Sequence, residues 1–129
     1  MDQLVPVTTL YSKLTADDLT PADVDTLVGY LTARLQDAMK GAPYDSDAYR
    51  ALRTVRHLVQ AQAKDTRTVF AAAPVTEELL EARLRQWNKL TRLAYAWHED
   101  DDYSDRWGRI EHRDAAEAAA EAARRLSRL

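Results

Sequence analysis

TEELLEARLRQWNKLTRLAYAW, residues 76–97, decides the fold class. From Leu80 onward, Leu84, Trp87, Leu90, Ala94 and Trp97 recur at steps of three and four, and Leu79 widens the stripe. That is the period of an α-helix, apolar over more than half its circumference. Such a helix has to be enclosed on several sides. Thr76, ahead of Glu77 and Glu78, reads as its N-cap, with acidic residues where the helix dipole favours them. The segment is the predicted centre of an all-α domain.

The chain before it repeats the pattern. A helix from about Ser46 to Ala73 places Tyr49, Leu52, Val55, Val59, Ala63 and Phe70 on one side. It ends before Pro74, because proline disfavours helical geometry in the residue ahead of it. Earlier still, residues 21–40 carry Val24, Leu27, Val28, Leu31, Leu35 and Met39 as one apolar stripe and stop at Gly41. LTADD and LTPAD each place Thr three residues before Asp, a variant of the capping box. Thr15 is expected to cap a single turn, and Thr20 the first long helix, with Pro21 at the favoured first position. The arm LVPVTTLYSKL is expected to lay Leu4, Val5, Val7, Leu10 and Leu14 on the bundle.

Beyond residue 97 comes HEDDDYSDRWGRIEH, residues 98–112, and then an Ala-rich helix over about 110–129. Ile110 would point away from the alanines in a continuous helix, so a break or bend is expected between Arg109 and Asp114. The predicted architecture is an antiparallel bundle of four main helices with an N-terminal arm and a short capping turn. It is one domain: arm and turn over 1–19, three core helices over 20–98, an acidic loop over 99–109, and the last helix over 110–129.

Composition narrows the function. With 46% apolar and 30% charged residues the chain is globular in type, and three Gly and four Pro leave helix uninterrupted. A net charge of −3 is too small for a basic nucleic-acid binder or an acidic tail, so electrostatic function must come from local patches. The absence of Cys removes disulfides, thiolate zinc sites and cysteine nucleophiles. MDQLVPVTTLYSK lacks the basic and apolar regions of a secretory leader, and no apolar run approaches the roughly 18 residues of a membrane span. A cytoplasmic protein without a membrane partner is expected.

Three surfaces are candidates. In the acidic loop, Asp100, Asp102, Ser104 and Glu111 stand at positions 1, 3, 5 and 12 of an EF-hand calcium loop. Position 6, where such loops bend on Gly, is Asp105, and position 8 is Trp107. The preferred reading is a solvated acidic linker pinned to the core by Tyr103 and Trp107. His98 and His112 lie fourteen residues apart, which is not the spacing of a helical zinc pair, and neither metal nor cofactor is expected. At the level of pattern, AWHEDDDYSDRW resembles a Trp-or-Tyr, acidic, Trp signature of small uncharacterised actinobacterial and actinophage proteins. That resemblance, over residues 97–107, implies no activity. Fourteen Arg against four Lys fits a high-GC genome.

The second surface is a polar stripe of Arg50, Arg53, His57, Gln60, Lys64 and Arg67 on the second helix, able to follow a phosphate backbone unless neighbouring carboxylates neutralise it. The third is the seam of Ala115, Ala119, Ala122, Leu126 and Leu129, with Ala116 and Ala123 beside it. Small residues let two helices approach closely, so this seam expects a helix, from this chain or from another. No Glu-x-x-His pair, phosphate loop or nucleophile elbow occurs, so no enzyme is expected. The expected function is protein binding, to a partner or to a second copy, through Tyr103, Trp107, Ala115, Ala119, Ala122 and Leu126. The alternative is nucleic-acid backbone binding through Arg50, Arg53, Lys64 and Arg67.

Overall fold

Every long helix opens on a side chain that the sequence supplies for the purpose. In the computed structural model, which describes residues 10–128, α1 (Pro21–Lys40) starts at Thr20, whose hydroxyl accepts from the Asp23 N–H at 3.4 Å. Asp23 accepts from the Thr20 N–H at 2.8 Å, which closes the box. Ser46 caps α2 (Asp47–Ala71) through the Tyr49 N–H at 3.2 Å. Thr76 caps α3 (Glu77–Ala94) through the Leu79 N–H at 3.1 Å. Asp114 does the same for α4 (Ala115–Ser127) through the Glu117 N–H at 2.8 Å. Single 3-10 turns lie at Ala16–Asp18, ahead of α1, and at Tyr95–Trp97, where the expected end of α3 tightens. The described residues contain four α-helices and no strand, so the chain is all-α. None of these helices is long and apolar enough to cross a membrane.

Helix ends are handled less locally. Gly41 has a φ of −81°, so α1 stops without a left-handed residue; Asp45, at φ 61°, turns the connection instead. α2 ends at Ala71, two residues short of the expected limit, with no glycine cap to donate to its last carbonyls. Arg83 of α3 does so, donating to the carbonyls of Val69 (2.8 Å), Phe70 (3.2 Å) and Ala72 (3.0 Å). Its guanidinium also lies over the Phe70 ring, 5.5 Å from the ring centre.

The interior forms between α1 and α2 and between α2 and α3, which the short connections make antiparallel neighbours. All six predicted stripe residues of α1 are buried, as are Val59, Ala63 and Phe70 of α2. From α3, Leu80, Trp87, Leu90 and Ala94 are inside, and Trp87 is fully enclosed beside Phe70. Each large apolar side chain so placed contributes about 1.5–3 kcal/mol. Leu52 and Val55 are half-buried and pack against this cluster, while Tyr49 is half-buried against Tyr44. Leu10 and Leu14 of the arm are half-buried; Leu4, Val5 and Val7 lie outside the described residues.

Residues 107–113 form a strap across this bundle. Trp107 and Ile110 are buried, and the Trp87 indole N–H donates to the Gly108 carbonyl at 3.2 Å. Asn88 grips Ile110 by both backbone groups, at 2.8 and 2.9 Å. On the other edge the arm runs parallel to the strap. Arg109 N–H donates to Leu10 (2.7 Å), Ser12 N–H to Arg109 (2.9 Å), Ala16 N–H to His112 (3.0 Å) and Asp17 N–H to Arg113 (3.0 Å). Gly108 is required by this approach: a Cβ there would sit 2.6 Å from the Ser12 nitrogen and 2.8 Å from the Tyr11 carbonyl carbon. The strap also corrects the start of α4, expected near 110 and found at Ala115. Backbone groups of Ile110, His112 and Arg113 are already committed, so the helix begins after them, with the break where Ile110 requires it.

Candidate functional site

The acidic loop is less solvated than expected. Tyr30 and Arg34, one turn apart on α1, reach into it: the Tyr30 hydroxyl donates to Asp100 at 2.8 Å, and Arg34 holds both Asp102 oxygens at 2.6 and 2.7 Å. Arg34 is also 3.3 Å from Asp100. Further on, Arg106 makes a two-point contact with Asp23, at 3.1 and 3.2 Å. Burial would push the Asp23 carboxyl up, but the Arg106 guanidinium and the Thr20 N–H outweigh it and hold the group below the usual carboxylate range.

Tyr30, Tyr103 and Trp107 form a mutual aromatic cluster, with ring centres 4.8 to 5.8 Å apart. The Tyr103 hydroxyl donates to the Trp107 carbonyl at 3.1 Å. Burial, and then the neighbouring Tyr30, pushes this hydroxyl up to about 12. Trp107 is 6% exposed and therefore belongs to the core; it presents almost nothing to a partner.

The four EF-hand positions are dispersed. Asp100 and Asp102 face α1, whereas the ligand atoms of Glu111 lie within 4.8 Å of those of His112 and Glu121, the metal-type cluster found among the described residues. His112 hydrogen-bonds Glu121, which Arg125 also holds at 2.6 Å. The His112 contact first, and then Arg125, keep the Glu121 carboxyl below its ordinary value. These contacts account for the convergence.

On α2, the stripe is exposed along its length, but half its permanent cations are engaged. Asp45 receives both Nε and Nη2 of Arg50, each at 3.1 Å, and Asp25 of α1 meets Arg67 at 3.0 Å. The partners are thus connection and helix residues rather than the acidic loop. Arg53 and Lys64 make no ion pair among the described residues.

α4 places its predicted seam in solvent. Ala115, Ala119, Ala122 and Leu126 are exposed, Leu126 at 70%, and no described residue of the helix is buried. Leu129 lies outside the described residues. The side turned toward the body carries Asp114, Glu117, Ala118 and Glu121, all half-buried. Arg113, at the helix start, pairs with Glu117 and reaches Glu77 and Glu81 of α3 at 3.7 and 4.0 Å. The seam does not complete the bundle; polar contacts anchor the helix at one end.

A fourth surface lies along the C-terminal half of α3. Two adjoining hollows, of 280 and 230 Å³, share Asn88, Arg92 and Arg109. Tyr11, Tyr95, Tyr103 and Trp107 wall the first; Arg85 and Lys89 flank the second. Among the described residues no carboxylate lines either. Arg85 and Lys89 with Arg92 were visible in the sequence as basic residues at helical spacing, but Arg109 reaches them only because the strap crosses α3. Comparison with protein families, curated proteins and solved structures finds no match for this chain.

Proposed function

We propose that this chain is a small non-enzymatic interaction protein that self-associates through α4, two copies meeting antiparallel along Ala115, Ala119, Ala122 and Leu126. The supporting observation is a capped helix of 13 residues with no buried residue. Helices shorter than about 12–15 residues are marginal alone, and an amphipathic face ordinarily supplies the missing stability by packing. Among the described residues the apolar face of α4 has no such packing.

Charge favours a second copy as the occupant. The first half of the helix carries Asp114, Glu117 and Glu121, and the second half Arg124, Arg125 and Arg128. Antiparallel pairing sets each half, and each end of the helix dipole, against its opposite. Alanine allows the close approach. Thirteen residues span about 20 Å, too short for a standard interface of about 1,600 Å², so the association is expected to be weak and concentration-dependent. The α2 alternative is left with Arg53 and Lys64 as its unpaired cations.

Sedimentation velocity over a wide concentration range tests the reading. A monomer–dimer equilibrium that Ala119→Glu with Ala122→Glu abolishes, while helicity and melting stay unchanged, is the expected result. A parent protein that remains monomeric at millimolar concentration would overturn it.

A further inference from the structure

The hollows along α3 have no part in the α4 reading, and their lining has a chemistry of its own. Among the described residues, seven arginines are held by carboxylates of this chain: Arg34, Arg50, Arg67, Arg85, Arg106, Arg113 and Arg125. Lys89, Arg92 and Arg109 have no such partner among the described residues, yet the fold brings them to one trough. Arg92 lies three residues after Lys89 on the helix, and the strap delivers Arg109 beside them. Like charges so gathered repel one another, and a chain with more acidic than basic residues had carboxylates to spare for them. Among the described residues the trough is lined by no acid, and of its basic side chains Arg85 alone pairs with a carboxylate, Glu81.

Next to it the character changes. The larger hollow is walled by aromatic rings: Tyr103 and Trp107 belong to the core cluster, Tyr95 stacks on His98 with ring centres 4.1 Å apart, and Tyr11 is 60% exposed at the rim. A tyrosine so exposed offers a ring face to any planar group that enters. Arg92 and Arg109 stand at the boundary, because they line both hollows. At 280 Å³ the aromatic hollow is near the lower end of ligand pockets, of about 300 Å³, so it suits one compact unit.

We propose that this trough binds a nucleotide unit, its phosphate held by Arg92, Arg109 and Lys89 and its base against the tyrosine-walled hollow. Arginine forks suit phosphate oxygens, and stacking on tyrosine tolerates any base. Two sources share this chemistry: a free mononucleotide, or one nucleotide of a single strand whose neighbouring phosphate would reach Arg85.

Isothermal titration at low ionic strength, with adenosine monophosphate, adenosine, inorganic phosphate and a twelve-residue single-stranded oligodeoxyadenylate, tests it. The expected result is saturable binding of the nucleotide, weakened by salt and exceeding that of adenosine or phosphate alone. Arg92→Gln with Arg109→Gln should lower affinity by about tenfold or more, as expected when charge-assisted hydrogen bonds are lost. Lys89→Gln, at an exposed helix position, should lower it less and keeps the test valid if the double variant melts early. Equal affinity per site for strand and mononucleotide identifies the free nucleotide as the source. Tighter binding of the strand, lost in Arg85→Gln, identifies the strand. No saturable binding of either at millimolar concentration, binding indifferent to Arg92, Arg109 and Lys89, or phosphate binding as tightly as the nucleotide, would overturn the proposal.

Discussion

Asn88 holds Ile110 by both of its backbone polar groups, accepting from the N–H at 2.8 Å and donating to the carbonyl at 2.9 Å. The side-chain amide thereby does for the strap what a neighbouring strand would do in a sheet. Both residues are buried, so neither backbone group has water as a substitute.

Asn88→Leu is expected to cost about 1–3 kcal/mol for each Ile110 group left without a partner. Asn88→Ser, which can still offer a hydroxyl, should lose less only if it reaches one of them. Urea unfolding measures both. A leucine variant as stable as the parent would mean that the strap is not held by this residue.

Gly108→Ala puts a methyl against the backbone of Tyr11 and Ser12. Backbone cannot move aside as a flexible side chain would, so overpacking of about 1–3 kcal/mol is expected. Hydrogen exchange should locate the damage: the amides of Ser12 and Arg109, bonded across the junction, exchange faster, while those in the middle of α1 keep their protection.

Trp107→Ala and Ala119→Leu should separate core from surface. Removing a buried aromatic costs about 3–5 kcal/mol, and Trp107 is buried. Ala119 is exposed, so the leucine variant should melt within about 0.5 kcal/mol of the parent while its self-association changes. A strongly destabilised Ala119→Leu monomer would mean that α4 packs on its own bundle.

Tyr103 should ionise late. Its folded value of about 12 lies above the ordinary 10, so its neutral form is the one the fold favours. The stability this contributes is fully present below pH 10 and is lost as pH rises through about 12. Alkaline absorbance titration should show a late tyrosinate step that Tyr103→Phe removes. A phenylalanine variant with an unchanged titration curve would refute the assignment.

The helices were legible because their signals are local. The stripe from Val24 to Met39, the hydroxyls of Thr20 and Thr76, and the break after Ile110 all follow from neighbours a few positions apart. What escaped depends on distant residues. Asn88 reads as one more polar position on α3, although a short amide beside a tryptophan on the enclosed side is a poor helix former with something to bond. Arg83 looks like a surface cation until the end of α2 lies over it. The α4 seam reads as a helix-seeking face, but no local rule says whether this chain supplies the helix, and the fold leaves the face exposed. The trough was half visible in Arg85, Lys89 and Arg92, while Arg109 belonged to another segment.

The pairing of arm and strap has a kinetic meaning. Ser12 and Arg109, residues 12 and 109, are 97 positions apart, so joining them closes nearly the whole chain into one loop. The three core helices need only short-range closures, which form quickly, whereas a long loop must be closed before its contacts repay the lost entropy. The helical hairpins are therefore expected to assemble first, and the seal between the two chain segments last. Opening that seal would release the backbone groups of Arg109, His112 and Arg113 from the arm, while Trp87 and Asn88 keep the strap on α3.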